Sequence, residues 1–150
     1  MEISKLGHSE KAPMELLLEA DPSFEMVEKY LFSGDCYLAK EGDEVIGTII
    51  LTPNTANEIE VRNICVAEKY RRQGIGKDLL KYAFRISKME GYETIIVKTS
   101  DVSLDAISFY KKLKFEHSFI VKGHFIKYYK EPIIENGKQA ADQIVMKRKL

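Results

Sequence analysis

The chain has 150 residues, 45% hydrophobic and 31% charged, a length and mixture that let one domain bury a core without disulfide or metal staples. Its 23 basic and 23 acidic side chains cancel to a formal net charge of zero, which argues against nucleic acid or an anionic membrane as the main partner. With no secretory leader and no long apolar run, a cytoplasmic location is expected; His8, His117 and His124 are too scattered to suggest a metal site.

Residues 2–7 read as a short first strand. Pro13 suits the first turn of a helix carrying Met14, Leu16, Leu17 and Leu18. A second helix is expected from about Phe24 to Phe32, opened by Asp21-Pro22-Ser23 and ended by Ser33-Gly34. Residues 36–40 and 45–51 form a hairpin around the polar turn Glu41-Gly42-Asp43-Glu44, and Pro53-Asn54 ends its second strand. Residues 58–66, Glu-Ile-Glu-Val-Arg-Asn-Ile-Cys-Val, form the next strand through their alternation and β-branched content. Cys36 and Cys65 both fall inside strands, where a small apolar role suits them better than a disulfide. Ile75, Leu79 and Ala83 then recur every four residues, with Tyr82, Ile86 and Met89 widening the stripe and Lys77, Lys81, Arg85 and Lys88 opposite it. Gly91 follows as a C-cap.

Residues 94–99 are an apolar run suited to a central strand. Ser103 is placed to cap a helix reaching about Leu113, residues 115–121 alternate again, and residues 144–146 make a last strand. The whole reads as a single domain over 1–150 of mixed α/β (α+β) class, in the order β-α-α-β-β-β-α-β-α-β-β. That order makes a mostly antiparallel sheet of about seven strands with about four helices.

Between the 58–66 strand and its following helix lies Tyr70-Arg71-Arg72-Gln73-Gly74-Ile75-Gly76-Lys77. The first amides of a helix lack internal partners and sit at the positive end of its dipole. Glycines let an anion reach that backbone, and Arg71, Arg72 and Lys77 add full charges, so the turn suits a phosphate or pyrophosphate. A plain glycine turn with solvated arginines accounts for these residues equally well. A Walker loop is excluded, because one residue separates Gly74 from Gly76 and Asp78 follows Lys77. The dinucleotide fingerprint is excluded because Leu79 stands where its third glycine belongs.

Arg71-x-x-Gly74-x-Gly76, after a strand ending in Val66 and before a long helix, resembles motif A of the Gcn5-related N-acetyltransferases (GNAT). A second segment, Ala106-x-x-Phe109-Tyr110-x-x-Leu113-x-Phe115, resembles that family's Ala-x-x-Leu/Phe-Tyr-x-x-x-Gly-Phe, and the element order agrees over nearly the whole chain. Residues 123–137, rich in aromatic side chains, look like an insertion found in a subgroup of small bacterial members. They read as a substrate wall or lid, or equally as an anchored surface loop or dimer contact.

The resemblance implies acetyl-CoA as co-substrate and no metal. It places the pyrophosphate on Arg71, Arg72, Gln73, Gly74, Ile75, Gly76 and Lys77. The pantetheine would lie along the backbone of Ile64, Cys65 and Val66, with an amide near Val66 polarising the acetyl carbonyl. Glu60 is the first candidate for general base, four residues before Ile64 and by alternation on the same face; Glu58 is the alternative. Tyr110 matches the family's general acid, though a core tyrosine on a helix would look the same. Lys114 replaces the family glycine and implies a different helix cap, while Asp101 and Ser103 occupy the region of an asparagine common in the family. The implied activity is acetyl transfer to a primary amine of a small molecule or peptide, with a homodimer possible; a non-catalytic acyl-CoA-binding or sensor module is the alternative. A nucleic-acid role for Arg71, Arg72 and the tail Lys147-Arg148-Lys149 conflicts with the neutral net charge.

Overall fold

The computed structural model describes all residues, 1–150, and divides into two compact units, residues 1–93 with Leu150 and residues 94–149. The seven-stranded sheet expected from the sequence is present, with four strands in the first unit and three in the second. No helix is long and apolar enough to cross a membrane.

The first unit contains β1 (Glu2–Lys5), α1 (Met14–Ala20), α2 (Phe24–Ser33), β2 (Asp35–Glu41), β3 (Glu44–Pro53), β4 (Glu58–Val66) and α3 (Ile75–Met89). Its strands follow chain order and pair antiparallel. Alternation splits their side chains between two faces. Cys36, Leu38 and Ile50 meet Leu17 of α1 and Val27 and Tyr30 of α2 in one buried cluster. On the other face Tyr37 meets Tyr82 of α3 edge-on, with centroids 5.3 Å apart. Gly47 lets α3 sit close, since a Cβ there would stand 3.1 Å from Leu79 Cδ1. Ile75, Leu79 and Ala83 of the stripe are buried, joined by Leu80, while Tyr82 and Ile86 are half-buried and Met89, at the end of the helix, is exposed; each large buried side chain contributes about 1.5–3 kcal/mol. Pro13 is the N-cap of α1 rather than its first helical residue.

The second unit contains β5 (Thr94–Ser100), α4 (Leu104–Lys112), β6 (Glu116–Val121), α5 (His124–Tyr128), β7 (Ile134–Glu135), β8 (Lys138–Gln139) and β9 (Gln143–Lys149). β9 pairs antiparallel with both β5 and β6. Five helices form instead of about four, because the 123–137 segment is itself folded. α5 opens it, and β7 and β8 close on an Asn136-Gly137 turn with both residues at positive φ. Strand β6 is exposed along nearly its whole length, so its sequence alternation marks no buried face.

Candidate active site

The turn before α3 is built by two neighbours. A short 3-10 turn, Glu68–Tyr70, follows β4, and Glu44 of β3 fixes it, accepting from Tyr70 Oη at 2.7 Å and pairing with Lys69 at 3.0 Å. The chain then runs extended through Arg71 and turns left-handed twice in three residues, at Arg72 (φ 64) and Gly74 (φ 83). Gly74 is the N-cap of α3 and no side chain caps that end. The leading amides therefore keep their donors and the positive end of the dipole undiluted, and successive left-handed turns aim amides into an anion-binding concavity. A Cβ at Gly74 would touch nothing within 4 Å, so the space over the turn is open. Arg72, Gln73 and Lys77 are exposed around it, and Ile75 anchors the turn in the core.

Arg71 behaves differently from its neighbours. Its Nε donates to the Val66 carbonyl at 3.0 Å and its Nη2 lies 3.4 Å from Glu19 Oε2 at the end of α1. The same carboxylate oxygen accepts from Cys65 Sγ at 3.4 Å. Arg71 thus braces the end of β4 instead of standing over the turn. Burial, reinforced by Glu19, pushes the Cys65 thiol up to about 11, which keeps it protonated and without nucleophilic character near neutral pH.

Glu60 departs from its expected position. Ile50 pairs with Asn63 but Leu51 pairs with Val61, so Arg62 is an extra residue in β4. This bulge shifts the alternation. Glu60, opposite Thr52, shares its face with Asn63 and Cys65, opposite Ile50 and Thr48, whereas Ile64 lies on the α3 face. Glu60 and Ile64 therefore do not share a face, because simple alternation fails across the inserted residue. Glu60 is only 3% exposed and lies 3.5 Å from Arg62 Nε. The Arg62 guanidinium stacks 4.9 Å over the Tyr30 ring. Asn63 Nδ2 donates to the Leu17 carbonyl at 2.9 Å and to Tyr30 Oη at 2.8 Å, and Tyr30 Oη donates to Asp21 at 3.1 Å. Glu58, the alternative base, is half-buried beside Asn54, which donates to it at 3.2 Å.

Arg62, Asn63 and Glu19 escaped the sequence reading. A signal for the first two was present: the polar-apolar alternation of β4 breaks at the adjacent pair Arg62-Asn63, which is how a bulge shows in sequence. The ion pair of Glu19 with Arg71 and its hydrogen bond from Cys65, each about fifty positions away, leave no such trace.

Tyr110 sits on α4 in the second unit, 7% exposed. Phe115 meets it edge-on at 5.5 Å and Phe109 lies tilted at 5.5 Å. Burial pushes its phenol up to about 12, so it carries its proton throughout the neutral range. Lys114 does not change the cap. It adopts the left-handed conformation (φ 72) that the glycine would take, while Phe115 and Lys114 donate to the carbonyls of Tyr110 and Lys111, the paired bonds of a Schellman motif. Ser103 does not cap α4; its hydroxyl faces Ser100 Oγ at 2.9 Å and donates to Glu135 of the β7–β8 hairpin at 3.1 Å. In the 123–137 segment, His124 contacts the rings of Phe125, Tyr128 and Tyr129 at 4.9, 5.0 and 6.3 Å.

An uncapped helix start with two left-handed residues before it, following a bulged strand, is the arrangement of a protein that binds an anionic, phosphate-bearing ligand. The sequence profile of the Acetyltransferase (GNAT) family matches residues 7–115. An uncharacterized N-acetyltransferase of Bacillus subtilis (strain 168), YvbK, is 38% identical over 130 residues, covering 87% of this chain and 84% of its own. A GNAT family acetyltransferase from Elizabethkingia anophelis, solved with acetyl-CoA bound, superposes with a TM-score of 0.97 at 38% identity over 99% of this chain and 97% of its own. An acetyltransferase of Bacillus subtilis solved in complex with CoA gives 0.92 at 34% identity, over 99% and 98%. The chain belongs to the GNAT family and is an N-acetyltransferase.

Proposed function

We propose that this chain moves the acetyl group of acetyl-CoA to a primary amine of a small molecule or peptide by direct attack. The observation that carries the reading is the uncapped, doubly left-handed turn opening α3. The pyrophosphate would be held by the amides of residues 72–77, with Arg72 and Lys77 adding charge, while Arg71 holds the end of β4. The backbone of Ile64, Cys65 and Val66 would carry the pantetheine arm. The similar Elizabethkingia and Bacillus subtilis proteins, solved with acetyl-CoA and CoA, support acetyl-CoA as co-substrate.

The amine nitrogen attacks the thioester carbonyl carbon, the N–C bond forms and the C–S bond breaks. An alkylammonium loses two protons on the way to an amide, one before attack and one from the adduct. Glu60 accepts the first proton and passes it to solvent; Tyr110 gives its proton to the departing thiolate and is restored by the second proton, which the adduct loses. Tyr110's protonated phenol suits an acid, and the burial of Glu60 suits a base that must meet its substrate away from bulk water. Incubation with acetyl-CoA and a panel of primary amines, following free thiol, tests the reading. Amine-dependent thiol release is expected; tight CoA binding with no release for any amine would instead establish a non-catalytic acyl-CoA-binding module.

A further inference from the structure

Arg62 is the inserted residue of the β4 bulge, and its surroundings leave its bonding edge unused. Its Nε is 3.5 Å from a Glu60 oxygen and its guanidinium lies 4.9 Å over the Tyr30 ring. No hydrogen bond reaches its two terminal nitrogens, and its side chain is 33% exposed. The ring beneath it is fixed in turn by Asn63 and Asp21. On the same face of the sheet two buried oxygens, Asn63 Oδ1 and Thr52 Oγ1, have no hydrogen-bond partner, in residues only 4% and 5% exposed. A planar fork of donors, held flat on an aromatic ring with its outer edge open, is the complement of a carboxylate. Thr52 stands opposite Glu60 and Asn63 follows Arg62, so these unused lone pairs lie around the pair but closed to solvent.

Charge balance points the same way. Glu60 and Arg62 form a neutral, mostly buried pair. A simple alkylammonium that engaged Glu60 would draw it from Arg62 and leave the half-buried guanidinium with only the Asp21 carboxylate, which the Tyr30 hydroxyl already engages, and this is costly. A molecule bringing both an ammonium and a carboxylate replaces the internal pair with two intermolecular ones and leaves no charge over. The 3.5 Å spacing of Glu60 and Arg62 requires those two groups to be close in the acceptor.

We propose that Arg62 binds a carboxylate of the acceptor, so that the substrate is a small amine with a carboxylate near its nitrogen, of the amino-acid class. This rests on the amine-acetyltransferase reading, with Glu60 facing the reacting nitrogen. The test compares the common L-amino acids with their carboxamides, the decarboxylated amines and phosphoethanolamine, in wild type, Arg62→Gln and Arg62→Lys. Thiol release and product mass give the rates, and calorimetry with each compound in the presence of CoA gives binding.

Wild type should prefer at least one amino acid over its amide by roughly 10²-fold in kcat/KM, the scale for losing a charge-assisted contact. Arg62→Gln should erase that preference while acetyl-CoA affinity stays within about threefold, and Arg62→Lys should restore part of it. An Arg62 that served only packing would lower acid and amide alike. Equal rates for acids and amides, an unchanged preference in Arg62→Gln, or a preference for phosphoethanolamine would each overturn the proposal while leaving acetyl transfer standing. If no amine is acetylated the transfer reading fails. The carboxylate subsite is then judged by calorimetry alone, upheld by an amino acid that binds wild type but not Arg62→Gln and overturned if none binds.

Discussion

Gly74 offers a way to separate shape from charge in the turn that opens α3. Its φ of 83 penalises any side chain, and the open space at its Cβ position means that the penalty is conformational, not steric. Gly74→Ala and Gly74→Glu should therefore lose similar stability, about 1–2 kcal/mol for a left-handed residue with a Cβ, or a Tm lower by roughly 2–8 °C. Their effects on CoA should diverge. A carboxylate about 5 Å from a phosphate charge, at an effective dielectric of about 20, is repelled by about 3 kcal/mol. An exposed, mobile glutamate realises only part of that, so about 2–3 kcal/mol remains, or roughly 30- to 150-fold in Kd beyond the alanine variant. Calorimetric titration with CoA at low and high salt reads this directly. The excess loss in Gly74→Glu should shrink as salt screens it, while the alanine effect should hardly move. Two correctly folded variants with CoA affinities within about threefold of each other at low salt would refute an anion site at this turn.

Tyr110→Phe should cut kcat by roughly 10²-fold while leaving acetyl-CoA affinity near wild type; steady-state kinetics with kcat within about threefold of wild type would assign Tyr110 to packing. Glu60→Gln keeps the shape and removes the charge, so kcat/KM near neutral pH should fall at least tenfold and recover partly in alkaline buffer, where more of the amine is already neutral. A superimposable pH profile would move the base to Glu58 or to unassisted attack. Lys114→Gly relieves a left-handed residue and should raise stability by about 0.5–1 kcal/mol in denaturant melts; unchanged or lower stability would contradict the strain. Burial raises both Tyr37 and Tyr110 to about 12, so their contribution is complete below the unfolded value near 10 and disappears as pH rises toward 12. Unfolding midpoints should fall over that window, less steeply in Tyr110→Phe.

Much of the frame was legible because local physics and tertiary structure agree. β4 begins and ends where its alternation does, at Glu58 and Val66, and α3 runs from Ile75 to Met89 along its four-residue apolar repeat. The placement of Gly74 at the start of α3 and of Tyr110 on α4 was readable too, since both sit in spaced motifs. What failed were features set by one inserted residue or by distant partners. The bulge at Arg62 moved Glu60 off the face of Ile64, although the doublet Arg62-Asn63 had interrupted the pattern. Ser103 donates its hydroxyl to Glu135, thirty-two residues away, and accepts from no amide of its own helix. The hairpin itself was signalled by Asn136-Gly137, a pair suited to two left-handed residues in succession, inside a segment read as undivided. Arg71 was assigned to the turn by its charge, but its guanidinium found Val66 and Glu19 through contacts that no local pattern encodes.

The central claim is that the turn at residues 72–77 holds acetyl-CoA for transfer to an amine. The most direct measurement follows isotope-labelled acetyl-CoA into a mixture of amino acids and simple amines, with mass spectrometry of products alongside thiol release. A labelled N-acetyl product formed one-to-one with free thiol, and lost in Gly74→Glu, is the predicted result. Thiol released without any labelled amide, or product formation unaffected by Gly74→Glu, would contradict it.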